Sequence, residues 1–189
     1  SLVEAVGETG VDAVKFQMHI ADAESSPREQ FRVPFSYEDR TRQEYWRRME
    51  LTPEQWLGLK EKCSRLGVEF LVTPFSRRAV ELLEDLGVQR YKVGSADATN
   101  FVLLDRLAET GKSVILSTGM ISNDELDEVV CFLRTRGLDF SLLHCVSEYP
   151  APTTSLELRR IAALRDRYRC PVGFSDHSGS VFASLSAAA

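Results

Sequence analysis

With 189 residues, 43% of them hydrophobic and 27% charged, the chain is long enough to bury a sizeable core as one domain. Its net charge of −5 and pI near 5.3 argue against nucleic acid or an anionic membrane surface as the main partner. No apolar run approaches the ~20 residues that span a bilayer, and Cys63, Cys131, Cys145 and Cys170 lack zinc-finger or CxxC spacing, so they are expected to be free thiols in a reducing cytoplasm.

The chain opens in a helical pattern (SLVEAVGETG) and passes at Gly10 into a first expected strand, Val11–Gln17. About thirty residues follow, Ala21 to Leu51, rich in Arg, Glu and aromatics. A loop of that length is usually functional or disordered. Two readings stay open for it: a lid that sets an arginine over an anionic substrate, or a solvated excursion with Phe31, Phe35, Tyr45 and Trp46 pinned to a rim. Thr52-Pro53-Glu54-Gln55 then starts a helix with a capping residue, a proline in the first turn and a polar residue at the capping-box position.

Five more strands follow in the pattern: Val68–Ser76, Arg90–Asp97, Ser113–Gly119, Asp139–Tyr149 and Pro171–Ser178. Gly10, Gly67, Gly87, Gly111 and Gly137 stand before five of the six, where a left-handed stop ends the preceding helix. Ser76, Thr99 and Ser122 are expected helix caps. Repeated strand–helix units with polar clusters where the strands finish predict an α/β fold of the TIM (β/α)8-barrel type and its active face. Such a barrel typically needs about 250 residues, so six units in this chain are expected to be a barrel without its first and last units.

Side chains two apart on a strand share a face. Lys15 and Gln17 therefore face together, opposite Phe16; Ser175 and His177 face together, opposite Phe174 and Asp176. Lys92 ends an apolar strand and precedes Gly94-Ser95-Ala96-Asp97. Two lysines with Thr73, Ser95, Ser117, Thr118 and Ser175 at strand ends make a cradle for phosphate and carboxylate. His177 is the candidate for metal ligation or acid/base work, with Asp97, Glu148 and Asp176 as companions. His19, in a loop, carries little weight, and His144 reads as a core histidine. Cys145 cannot pair with His144 as nucleophile and base, because strand neighbours point to opposite faces. No Gly-rich phosphate loop, HExxH or GxSxG occurs.

Taken together, DAVKFQ (12–17), TPFS (73–76), KVGSAD with TN (92–100), ILSTGM (115–120), LLHCVSEYP (142–150) and GFSDHS (173–178) resemble the sialic acid synthase family, which includes legionaminate and pseudaminate synthases. The resemblance implies a barrel enzyme that condenses phosphoenolpyruvate with the open-chain form of an N-acylated hexosamine, typically N-acetylmannosamine. The product is a nine-carbon 2-keto acid, phosphate leaves, and a divalent metal (Mn2+ or Mg2+) polarises the aldehyde. By matching position it casts Lys15 and Lys92 as binders of the phosphoenolpyruvate anions, aided by Thr73, Ser95, Ser147 and Ser175. Gln17, Asp97 and Tyr149 would meet the sugar, and His177 would be one of two metal histidines.

The family's first strand, with its glutamate and Asn-His pair, and its eighth, with the second metal histidine, have no counterpart in these residues. Nor does the C-terminal antifreeze-like domain, which in the family reaches across a homodimer. Asp97 is also shorter than the glutamate of many members. Two further readings therefore stay open beside the synthase: a Schiff-base pyruvate aldolase using Lys15 or Lys92, and an inactive remnant that keeps an anion cradle.

Overall fold

A computed structural model describes residues 1–31 and 36–189. The strands are β1 (Ala13–Met18), β2 (Glu69–Pro74), β3 (Arg90–Val93), β4 (Ser113–Ser117), β5 (Phe140–Cys145) and β6 (Val172–Ser175). The helices are α1 (Leu2–Gly7), α2 (Ala21–Glu24), α3 (Arg42–Met49), α4 (Pro53–Leu66), α5 (Arg77–Asp85), α6 (Phe101–Glu109), α7 (Asn123–Thr135), α8 (Arg159–Tyr168) and α9 (Val181–Ala188). Strand followed by helix repeats throughout, so the fold is α/β, with about six units of the (β/α)8-barrel kind. The chain divides into two compact units, Ser1–Gln89 and Arg90–Ala189.

In the first unit β1 lies parallel to β2, with Lys15 beside Leu71 and Gln17 beside Thr73. Phe16 packs the other way, with ring centroids 6.3 Å from Trp56 of α4 and 5.2 Å from Phe70. In the second unit β3, β4, β5 and β6 run parallel in that order. One face carries Tyr91, Val93, Val114, Leu116 and Leu142, all wholly buried. On the same face His144 and Phe174 pair across β5 and β6. Leu104 and Leu107 of α6 and Leu126, Val129 and Leu133 of α7 are also wholly buried, each contributing about 1.5–3 kcal/mol relative to exposure.

The expected strands overrun the observed ones, chiefly at their C-terminal ends. Ser95–Asp97 forms a 3-10 turn after β3, and residues 118–119, 146–149 and 176–178 lie outside the strands. The motif residues have left the ladder, which is how their side chains come to line a rim. Ser76 and Ser122 cap α5 and α7, each accepting a backbone N–H. Thr99 does not cap α6; Asn100 does, taking the Leu103 N–H on its Oδ1. Thr52 closes a capping box with Gln55 at the head of α4.

The excursion between β1 and α4 is tied down at several points. Tyr45 and Trp46 pack edge to face, and Phe31 meets Tyr45. Gln43 donates to Asp22 Oδ1 and to the Ser25 carbonyl, and the Ala21 N–H donates to Glu50. Of the aromatics expected at a rim, Phe35 lies outside the described residues.

The five pre-strand glycines all have positive φ, between 66° and 81°. The sixth junction has no glycine, and there Arg169 takes the same left-handed conformation at φ 48°. An L-residue pays roughly 1–2 kcal/mol in that region. Gly137→Ala should therefore lower the unfolding free energy by about 1 kcal/mol, whereas Arg169→Gly should leave it unchanged or raise it; urea melts read both.

Tyr168 at the end of α8 is buried, and its hydroxyl donates to Asp127 Oδ1 at 2.9 Å. Burial first, and the Asp127 carboxylate second, push its pKa up to about 12. A raised folded pKa means the stability contribution is whole below the ordinary value of about 10 and is lost as pH climbs towards 12. Unfolding free energy should fall across that alkaline window, and Tyr168→Phe should flatten part of the slope.

Candidate active site

The second unit shows how the alternation builds a site. Opposite the helix-covered face, the register places Lys92, Ile115 and Ser141 in one layer. Ser117, Leu143 and Gly173 form the next, and Cys145 and Ser175 the last. Lys92 is 7% exposed, and its Nζ donates to Ser117 Oγ at 2.6 Å and to the Val93 carbonyl at 2.7 Å. The ammonium thus reaches up from its own layer towards the strand ends. A buried ammonium is tolerated only with such partners.

Above those layers the polar tips meet. The Gly119 N–H donates to Ser95 Oγ at 3.0 Å. Cys145 Sγ lies 3.9 Å from Ser147 Oγ and 3.7 Å from His177 Nδ1. The Tyr149 ring lies over His177, centroids 4.4 Å apart. Ser95 and Gly119 thus form one linked pair, and Ser147, Cys145, His177 and Tyr149 one linked chain beside it, with Lys92, Ser117 and Ser175 on the same strands. Asp97, half-buried on the 3-10 turn, accepts from Asn100 Nδ2 at 3.1 Å.

His177 has a defined tautomer. Its Nδ1 lies 3.1 Å from the Val146 carbonyl, which can only accept. Nδ1 therefore carries the proton and Nε2 presents a lone pair, the form that binds a metal or takes a proton. A carbonyl behind the ring is also the usual support for a ligating histidine. Among the described residues, however, no group of three His, Cys, Asp or Glu side chains is placed to share an ion. Asp176 does not supply a second ligand. Its oxygens take the Ser178 N–H at 2.8 Å and the Ser184 hydroxyl at 2.7 Å. Those bonds, the Ser178 N–H foremost, hold its carboxyl below the usual range.

In the first unit Lys15, Gln17 and Thr73 occupy the same face of β1 and β2. Thr73 is buried, while Lys15 and Gln17 are exposed by area. Even so, the protein crowded round the Lys15 ammonium strips enough water from it to hold its pKa below the ordinary lysine value.

Sequence reasoning rejected Cys145–His144 correctly: His144 turns to the helix side and its Nε2 donates to the Leu156 carbonyl at 2.7 Å. It missed Cys145–His177, because the pairing depends on the β5–β6 register. It also underrated His19, whose ring stacks between Trp46 and Phe75. The signal available for His19 was its parity with Lys15 and Gln17.

Gly119 is the tightest point of the site. A Cβ there would lie 2.6 Å from Ser147 Oγ and 2.8 Å from the Cys145 carbonyl oxygen. Gly119→Ala should cost about 1–3 kcal/mol of stability and displace Ser147. Adding Ser147→Gly should not restore the melting temperature, since the backbone oxygen remains in the way.

Over residues 2–189 the chain matches the NeuB family. It is 35% identical over 185 residues to N,N'-diacetyllegionaminic acid synthase of Legionella pneumophila, covering 94% of this chain and 52% of that protein. Against the enzyme of the same name from Campylobacter jejuni the identity is 31% over 194 residues, 100% of this chain and 58% of the relative. The crystal structure of N-acetylneuraminic acid (sialic acid) synthetase from Leptospira borgpetersenii in complex with citrate superposes with a TM-score of 0.84 at 29% identity. That superposition covers 98% of this chain and 61% of the other. The chain spans about half the length of the curated relatives it matches.

Proposed function

The chain belongs to the NeuB family, and from that premise we propose that it carries substrate-binding and catalytic groups of a nonulosonate synthase. The reaction is condensation of phosphoenolpyruvate with an N-acylated hexosamine of the N-acetylmannosamine type. Carbon 3 of phosphoenolpyruvate attacks the aldehyde, water adds to carbon 2, and phosphate leaves. The observation that carries this reading is the buried Lys92 ammonium held by Ser117 beneath a rim of Ser95, Gly119, Ser147 and His177.

Each group has a role that its chemistry allows. Lys92 supplies positive charge under the anions of phosphoenolpyruvate, and the Ser95, Ser147 and Ser175 hydroxyls offer hydrogen bonds beside it. Within the first unit, Lys15 and Thr73 offer charge and a hydroxyl suited to an anion, and Gln17 an amide suited to a sugar. Within the second unit, Asp97 and Tyr149 offer groups suited to a sugar. A divalent cation, Mn2+ or Mg2+, would supply Lewis-acid polarisation of the aldehyde oxygen. His177 Nε2 is the donor that would hold it. The complete enzyme is proposed to be a cytoplasmic homodimer. A Schiff-base aldolase is the second reading, favoured by the lowered pKa of Lys15.

The complete protein, given phosphoenolpyruvate, N-acetylmannosamine and Mn2+, should release inorganic phosphate, and pyruvate with borohydride should leave no adduct on it. Lys92→Met should lower kcat/KM for phosphoenolpyruvate by about 10- to 100-fold, the worth of a lost charge-assisted hydrogen bond. His177→Ala should weaken Mn2+ binding. A borohydride adduct at Lys15 without phosphate release would favour the aldolase; neither activity would leave the remnant reading.

A further inference from the structure

His19 follows β1 directly and has the parity of Lys15 and Gln17. It does not behave as loop filler. Its ring lies flat between Trp46 and Phe75, at centroid distances of 3.5 and 4.1 Å and interplanar angles of 8° and 9°. Nδ1 is 2.7 Å from Glu24 Oε2. The Glu24 side chain is only 9% exposed and its other oxygen takes the Ile20 N–H. Ring plane, rotamer and one nitrogen are all fixed, and a carboxylate acceptor requires that Nδ1 carry a proton.

Nε2 is different. It has no protein partner among the described residues, and it is absent from the buried polar atoms that lack one, so it reaches solvent. An imidazole oriented by a carboxylate, with its far nitrogen open, is the arrangement proteins use to aim a histidine at another molecule. Gln17 lies two residues earlier on the same face, about 7 Å along an extended chain. That spacing suits an amide and an imidazole addressing neighbouring polar groups of one sugar.

We propose that His19, aimed by Glu24 and clamped by Trp46 and Phe75, is a substrate-contacting, specificity-determining residue whose Nε2 hydrogen-bonds to the N-acylhexosamine. The assignment rests on the synthase reading and adds a sugar contact to it. The excursion between β1 and α4 then has a function: it delivers Glu24 and Trp46, which fix the imidazole.

The test uses His19→Phe, which keeps a flat ring in the sandwich and deletes both nitrogens. Its companion His19→Phe/Glu24→Gln removes the carboxylate charge left without a partner. In the complete protein both should raise KM for N-acetylmannosamine by about tenfold or more, with KM for phosphoenolpyruvate within about twofold. A merely structural role would move both constants together or neither, and either result overturns the contact. If neither variant folds, or if the parent releases no phosphate, the imidazole NMR signal of His19 decides during titration of the parent with N-acetylmannosamine. A shift on titration supports the contact, even where the absence of phosphate release defeats the synthase reading; an unmoved signal overturns it.

Discussion

Strict alternation along the strands is the constraint on which the rest depends. In the four-stranded sheet of the second unit, Tyr91, Val93, Val114, Leu116 and Leu142 sit on one face with no exposure at all. Burying that set fixes the register, because a slip of one residue would turn every one of them over. The opposite parity is then left for chemistry. Lys92, Ser117, Cys145 and Ser175 are where they are because their neighbours are elsewhere.

That arrangement has costs, and the structure meets them locally. The buried ammonium of Lys92 donates to a hydroxyl and a carbonyl, which offset part of the cost of burying it. Gly119 brings backbone against backbone where any side chain would collide with the Cys145 carbonyl. His144, on the helix side, spends Nε2 on Leu156 and leaves Nδ1 buried without a hydrogen bond. An unmade bond of that kind costs about 1–3 kcal/mol, so His144 is a polar residue accommodated by the core.

The elements that local physics controls were legible from the residues. Glycine before a strand, the Thr52 and Ser122 capping boxes and the parity of Phe16 against Lys15 each follow from neighbours within four positions. Thr99 is the expected cap and Asn100 the observed one, because two good capping residues stand side by side there and only the start of α6 separates them. Pairings between distant segments were not legible. Cys145 and His177 meet through the β5–β6 register, and His19 meets Trp46 through an excursion of 27 positions whose path carries no periodic signal. The ends of the strands were overestimated for a related reason: small polar residues that leave a sheet look, one at a time, like residues that continue it.

The same contacts show how the described part of the excursion is held. Arg42 is paired with Glu29, Arg47 with Asp22, and Arg48 with Asp39 and the Tyr45 ring. Exposed pairs like these contribute only about 0–1 kcal/mol each, so charge alone would not hold the segment. Stacked rings and a buried carboxylate are harder to move, and Trp46 on His19 with Glu24 behind it supplies both. The described part of the excursion thus fixes the plane and direction of the His19 ring through its stacking and its buried carboxylate, more than through its ion pairs.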